Sequence, residues 1–167
     1  NEIHKLRDFE RKTYDFLSFI NSNTCKLANQ PYLILTGPAG IGKSHLLADI
    51  IRHRSQKNYN SLLLLGENFS THELPWTQIL NNHLRKQIDE DVFLGALNAK
   101  AESNQNRIVI FIDALNEGEG RIVWPKRLKS FIRSFKLYPW LGLVVSVRDS
   151  FEKLIVSDNK IIEENIA

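Results

Sequence analysis

Apolar residues along the chain keep two rhythms in alternation, one helical and one extended. Ile3, Leu6, Phe9, Phe16, Leu17 and Ile20 recur at helical spacing with charges between them. They predict an amphipathic helix ending near the turn-rich Asn21-Ser22-Asn23. After Pro31, Tyr32-Leu33-Ile34-Leu35-Thr36 predicts a short buried strand that runs into a glycine-rich turn. The helical period returns from Lys43 to about Arg54 through Leu46, Leu47, Ile50 and Ile51. Ser61-Leu62-Leu63-Leu64-Leu65-Gly66 is brief and ends on glycine, which favours a strand over a helix fragment. Helical stretches follow at about 75–88, with Pro75 suited to a first turn, and at about 90–102. Arg107-Ile108-Val109-Ile110-Phe111-Ile112-Asp113 carries the strongest strand pattern, with a polar loop at about 114–121 behind it. A basic amphipathic helix is expected from about Pro125 to Phe135, then a strand from Leu141 to Val147 that ends at Arg148. A short helix from about Ser150 to Ile155 and the start of a fifth strand at Ile161-Ile162 complete the reading.

Strands that are apolar on both faces and alternate with helices argue for an α/β domain, a parallel sheet covered by helices. The expected organisation is one domain over residues 1–167, with a helical preface at 1–30 and a core at 31–167. Its 167 residues, 43% hydrophobic and 25% charged, suffice for a buried core without staples. Cys25 is the lone cysteine, so no disulfide framework forms within the chain. No apolar run approaches the ~18 residues of a membrane span, and a reducing, cytoplasmic setting is expected. With Asn1 first and no Met, the chain reads as a segment of a longer polypeptide. A net charge of +3 suits phosphate handling but lacks the clustered stripe of a nucleic-acid binder.

Gly37-Pro38-Ala39-Gly40-Ile41-Gly42-Lys43-Ser44 fits the phosphate-loop pattern G-x-x-x-x-G-K-[ST] in full, with a buried strand entering and an amphipathic helix leaving. Gly37, Gly40 and Gly42 let the backbone curl so that successive N–H groups face the β- and γ-phosphates of a nucleotide. The following helix offers its positive end to the same anion. Lys43 supplies a mobile cation, and the Ser44 hydroxyl can ligate Mg²⁺. His45 follows directly, near the nucleotide or packed away from it.

Such a site needs a carboxylate for the metal at the end of a neighbouring buried strand, and Asp113 stands there. Hydrolysis also needs a group that orients or deprotonates the attacking water. Glu117 is the nearest candidate, with Asn116 able to support it, although Glu119 lies close and polar loops carry acids in any case. Arg148 ends the next strand. It is either a sensor of the γ-phosphate or a surface arginine paired with Asp149.

GPAGIGKS, IVIFIDALNEG and LVVSVRD together resemble the STAND class of P-loop NTPases, including NACHT-type domains, and most nearly the bacterial antiviral members often called Avs. The resemblance implies a three-layer fold with a sheet of about five strands in the order 5-1-4-3-2. It implies ATP and Mg²⁺ at Gly37 through Ser44, Asp113 as the metal-side acid and Arg148 as the sensor arginine. Many NACHT domains have a second aspartate where this chain has Asn116, which leaves the catalytic base open, with Glu117 the candidate. The resemblance further implies a slow ATPase switch that exchanges ATP and ADP and forms a homo-oligomer when activated in antiphage defence. Other domains of the protein would recognise the trigger.

A GTPase is disfavoured, because Asp158-Asn159-Lys160-Ile161-Ile162 lacks the final Asp of a guanine-reading motif and Asn116 replaces the switch glycine. A small-molecule kinase would need an arginine-rich lid, for which Arg121, Arg127 and Arg133 are the available residues. A nucleotide-gated scaffold with negligible hydrolysis is the main competitor. Lys126, Arg127, Lys129, Arg133 and Lys136 read as a solvated helix face, so neither nucleic-acid nor membrane binding is expected. His4, His45, His53, His72 and His83 show no metal-ligand spacing.

Overall fold

A computed structural model describes residues 2–22, 25 and 30–156. The chain divides into two compact units, residues 1–30 and 31–167. In the first, helix α1 (Glu2–Ile20) has no buried residue, and Ile3, Leu6, Phe9, Phe16 and Leu17 are all more than half exposed. Asp8 pairs with Arg11 and Lys12, one turn on, at 2.8 Å each.

The second unit is an α/β fold. Its strands β1 (Tyr32–Gly37), β2 (Ser61–Leu65), β3 (Ile108–Asp113) and β4 (Leu141–Arg148) form one all-parallel sheet in the order β1-β4-β3-β2. Among the described residues the sheet has four strands. The fifth strand expected at Ile161-Ile162 lies outside them. The central strands β3 and β4 are the most buried, as their near-continuous apolar sequences require.

Helices α2 (Lys43–Gln56), α3 (Pro75–Thr77), α4 (Glu90–Ser103), α5 (Gly120–Lys136) and α6 (Asp149–Ile155) connect or follow the strands. Leu94 and Ala101 of α4 join one core with Val123, Trp124, Leu128, Phe131, Ile132 and Phe135 of α5. Trp76 stacks on Phe131 at 4.6 Å between ring centroids, and Trp124 meets Phe69 edge-on at 5.0 Å. Such pairs add about 0.5–1.5 kcal/mol each beyond their buried area.

Two elements depart from the periodicity. The helix expected over 75–88 shortens to α3 and then widens into a π-helical turn, Gln78–His83, closed by Leu84 N–H donating to the Ile79 carbonyl at 2.9 Å. The wide turn buries the consecutive residues Gln78, Ile79 and Leu80, and helical geometry ends before Arg85 at φ 52°. Helix α5 begins at Gly120 rather than Pro125, so the proline lies inside it. Val123 and Trp124, buried ahead of the proline, hold the first turn on the core against the proline's preference for a helix start. No helix among the described residues is long and apolar enough to cross a membrane.

Candidate functional site

Parallel pairing brings the carboxyl ends of β1, β3 and β4 to one edge of the sheet. Gly37 stands opposite Arg148, and Ile112 opposite Val145, so Asp113 and Ser146 come next on adjacent strands. The loop from Gly37 enters α2 at Lys43, with Gly40 and Gly42 in left-handed geometry at φ 75° and 96°. A side chain at either position would strain this curl. Lys43 Nζ donates to the carbonyls of Gly37 and Pro38 at 2.7 and 2.8 Å, so the ammonium is held over the loop.

A cleft of about 280 Å³ opens between this loop and the strand ends. Ala39, Gly40, Gly42, Lys43, Ser44 and His45 form one wall. Asp113, Ala114, Asn116 and Glu117 form the second, and Ser146 with Arg148 the third. Gly37, Pro38 and Ile41 do not line it; the first two act through their carbonyls, and Ile41 is 65% exposed.

The oxygens lining the cleft include the Ser44 hydroxyl and the Asp113 carboxylate, hard donors of the kind Mg²⁺ prefers. Among the described residues no group of three or more His, Cys, Asp and Glu could cage a metal. One carboxylate and one hydroxyl fit an ion that keeps waters and takes phosphate oxygens for the rest of its shell.

The loop behind β3 is tied to β4 by hydrogen bonds. Leu115 N–H donates to the Ser146 carbonyl at 2.8 Å, and Ala114 N–H to Ser146 Oγ at 2.7 Å. Ser146 Oγ in turn donates to Asp113 Oδ1. Asn116 is buried, and its Oδ1 accepts the backbone N–H of Arg148 at 2.9 Å. The Asn116 carboxamide oxygen is thereby tied to β4. Ala114 sits at φ 56°, and the Gly66 backbone lies so close to the Ala114 carbonyl that a side chain at Gly66 would overlap it.

The two loop acids differ. Glu119 accepts Thr71 N–H at 2.6 Å, and that bond holds its carboxyl below the usual carboxylate range. Glu117 is exposed on the rim of the cleft. No ion pair joins Arg148 to Asp149 among the described residues; Asp149 Oδ1 accepts Ser150 N–H at 2.7 Å, and Arg148 lines the cleft.

Arg121, Arg127 and Arg133 lie on α5 outside the cleft, with Arg121 resting over the Phe151 ring at 6.0 Å. Lys126, Arg127, Arg133 and Lys136 are exposed, and Lys129 is half-buried. Ser146 and Asn116 are site residues whose bonds across β4 the linear reading missed. The signal for Ser146 was a hydroxyl inside the otherwise apolar run Leu143-Val144-Val145-Ser146-Val147. No protein-family model and no curated protein sequence matches this chain.

Proposed function

We propose that this chain is the ATP-binding and ATP-hydrolysing switch domain of a STAND-type NTPase. Its output would be nucleotide-dependent assembly of copies in cytoplasmic antiviral defence. The observation that supports this most is the convergence on one cleft of a phosphate loop, the carboxylate of Asp113, the loop acid Glu117 and the guanidinium of Arg148.

In this reading the loop amides and Lys43 bind the β- and γ-phosphates, Lys43 exchanging carbonyl partners for charged oxygens, which make stronger hydrogen bonds. Ser44 and Asp113 hold Mg²⁺, which when bound neutralises charge on the phosphate oxygens. Glu117 orients the attacking water and takes its proton as the bond between the γ-phosphorus and the β–γ bridging oxygen breaks. ADP and inorganic phosphate are the products. Arg148 meets charge on the γ-phosphoryl group, so ATP and ADP differ in what they offer it.

A second reading, a nucleotide-gated scaffold that barely hydrolyses ATP, draws support from one feature. Glu117 is exposed on the rim of the cleft, and no hydrogen bond or ion pair holds its carboxylate among the described residues. Single-turnover hydrolysis with protein in excess over γ-labelled ATP separates the two. The switch reading expects Glu117→Gln to bind ATP normally and hydrolyse it about 10²- to 10⁴-fold more slowly. Equal rates in Glu117→Gln and wild type would place the base elsewhere, or nowhere if both are negligible.

A further inference from the structure

We propose that Ser146 is a positioning residue that fixes which oxygen of Asp113 is offered to the metal, an inference that rests on the nucleotide-site reading above. Ser146 is 1% exposed in the middle of the sheet, where a hydroxyl needs partners. It has two. The Ala114 N–H can only donate, so at 2.7 Å it occupies a lone pair of Ser146 Oγ. A hydroxyl carries one proton, and that proton goes to Asp113 Oδ1. The direction of the whole chain, Ala114 to Ser146 to Asp113, is thereby set by the backbone amide at its head.

With Oδ1 engaged, Asp113 Oδ2 is the oxygen left for a metal's water shell. Octahedral Mg²⁺ tolerates little error in the direction of its ligands or of the waters those ligands hold. A carboxylate free to rotate would present its oxygens in varied orientations. Ser146 also joins the strand that carries Asp113 to the strand that ends at Arg148, and its carbonyl accepts Leu115 N–H at 2.8 Å. The side-chain bond and the backbone bond can be separated by mutation, since only the first is lost in Ser146→Ala.

The test is equilibrium binding of the fluorescent analogue mant-ATP to the 167-residue chain, titrated with MgCl₂ and repeated in EDTA. Ser146→Ala is expected to raise the Mg²⁺ concentration for half-maximal enhancement of binding by about 10- to 100-fold, the usual range when the partner of a metal-ligating side chain is removed. Binding in EDTA should stay within about twofold of wild type. Ser146→Thr, which keeps the hydroxyl, should restore the Mg²⁺ response. In an Asp113→Ala background Ser146→Ala should have no further effect, because there is no carboxylate left to orient. Should Ser146→Ala not unfold cooperatively, Ser146→Cys, close in volume and a weak donor, takes its place with the same expectation.

A wild-type Mg²⁺ response in the folded variant would overturn the proposal. So would equal losses with Mg²⁺ and in EDTA, which mark a merely structural role. Absence of any Mg²⁺-dependent mant-ATP binding in the wild-type chain would overturn the nucleotide-site reading itself, and this inference with it.

Discussion

Glu117 and Glu119 share one loop, yet only Glu119 is held by a backbone donor, the Thr71 N–H. That bond ties the segment after β2 to the start of α5 and lowers the Glu119 carboxyl from its ordinary 4.5. A group whose folded value is depressed stabilises the fold above its unfolded value, and the contribution fades as pH falls through the folded one. Wild type is therefore expected to melt above Glu119→Gln at pH 7, because the variant keeps an acceptor but loses the charge. The two melting temperatures should converge as pH drops below 4.5. A gap that stays constant from pH 7 to pH 3 would show that the charge on Glu119 contributes nothing to this tie. Asn116, read from the sequence beside Glu117, uses its carboxamide oxygen to hold Arg148 N–H.

At the scale of elements, packing decides glycine substitutions in opposite directions. A Cβ at Gly66 would fall on the Ala114 carbonyl behind β3, whereas one at Gly95, inside α4, meets nothing within 4 Å. Urea unfolding should show Gly66→Ala destabilised by about 1–3 kcal/mol through overpacking. Gly95→Ala should be stabilised by roughly 0.5–1 kcal/mol through helix propensity. Equal effects at the two positions would contradict the close approach of the β2 and β3 loops. The strands were legible in the sequence because parallel strands buried on both faces are near-continuous apolar runs, and β1 and β4 extend the expected runs only to Gly37 and Arg148. The phosphate loop was legible because its spacing itself builds the turn. The start of α5 was not, since the burial of Val123 and Trp124 outweighs the signal of Pro125. Nor was the π-helical turn, where the Gln78 amide reaches back to the preceding loop, donating to the Ser70 and Glu73 carbonyls and accepting Ser70 N–H. The links of Ser146 and Asn116 were hidden because they join residues about thirty positions apart.

For the whole molecule, the proposed switch requires that ATP and ADP make different contacts, and in that proposal Arg148, which lines the cleft, tells them apart. A hydrogen bond to a charged group is worth about 1.5–3 kcal/mol, or roughly 10- to 150-fold in an equilibrium. Arg148→Ala is accordingly expected to abolish most ATP-dependent assembly, followed by light scattering, while ADP affinity changes little. Intact assembly, or an equal loss of ADP binding, would remove Arg148 from the sensor role. The proposed function stands on nucleotide binding at the loop from Gly37 to Ser44, where Lys43 carries the cation. Isothermal titration of ATP with Mg²⁺ into the wild-type chain and into Lys43→Ala measures this directly. Saturable one-to-one binding is expected in wild type, and its loss in a variant whose thermal unfolding remains cooperative. Equal ATP affinity in a folded Lys43→Ala chain would contradict the proposed function.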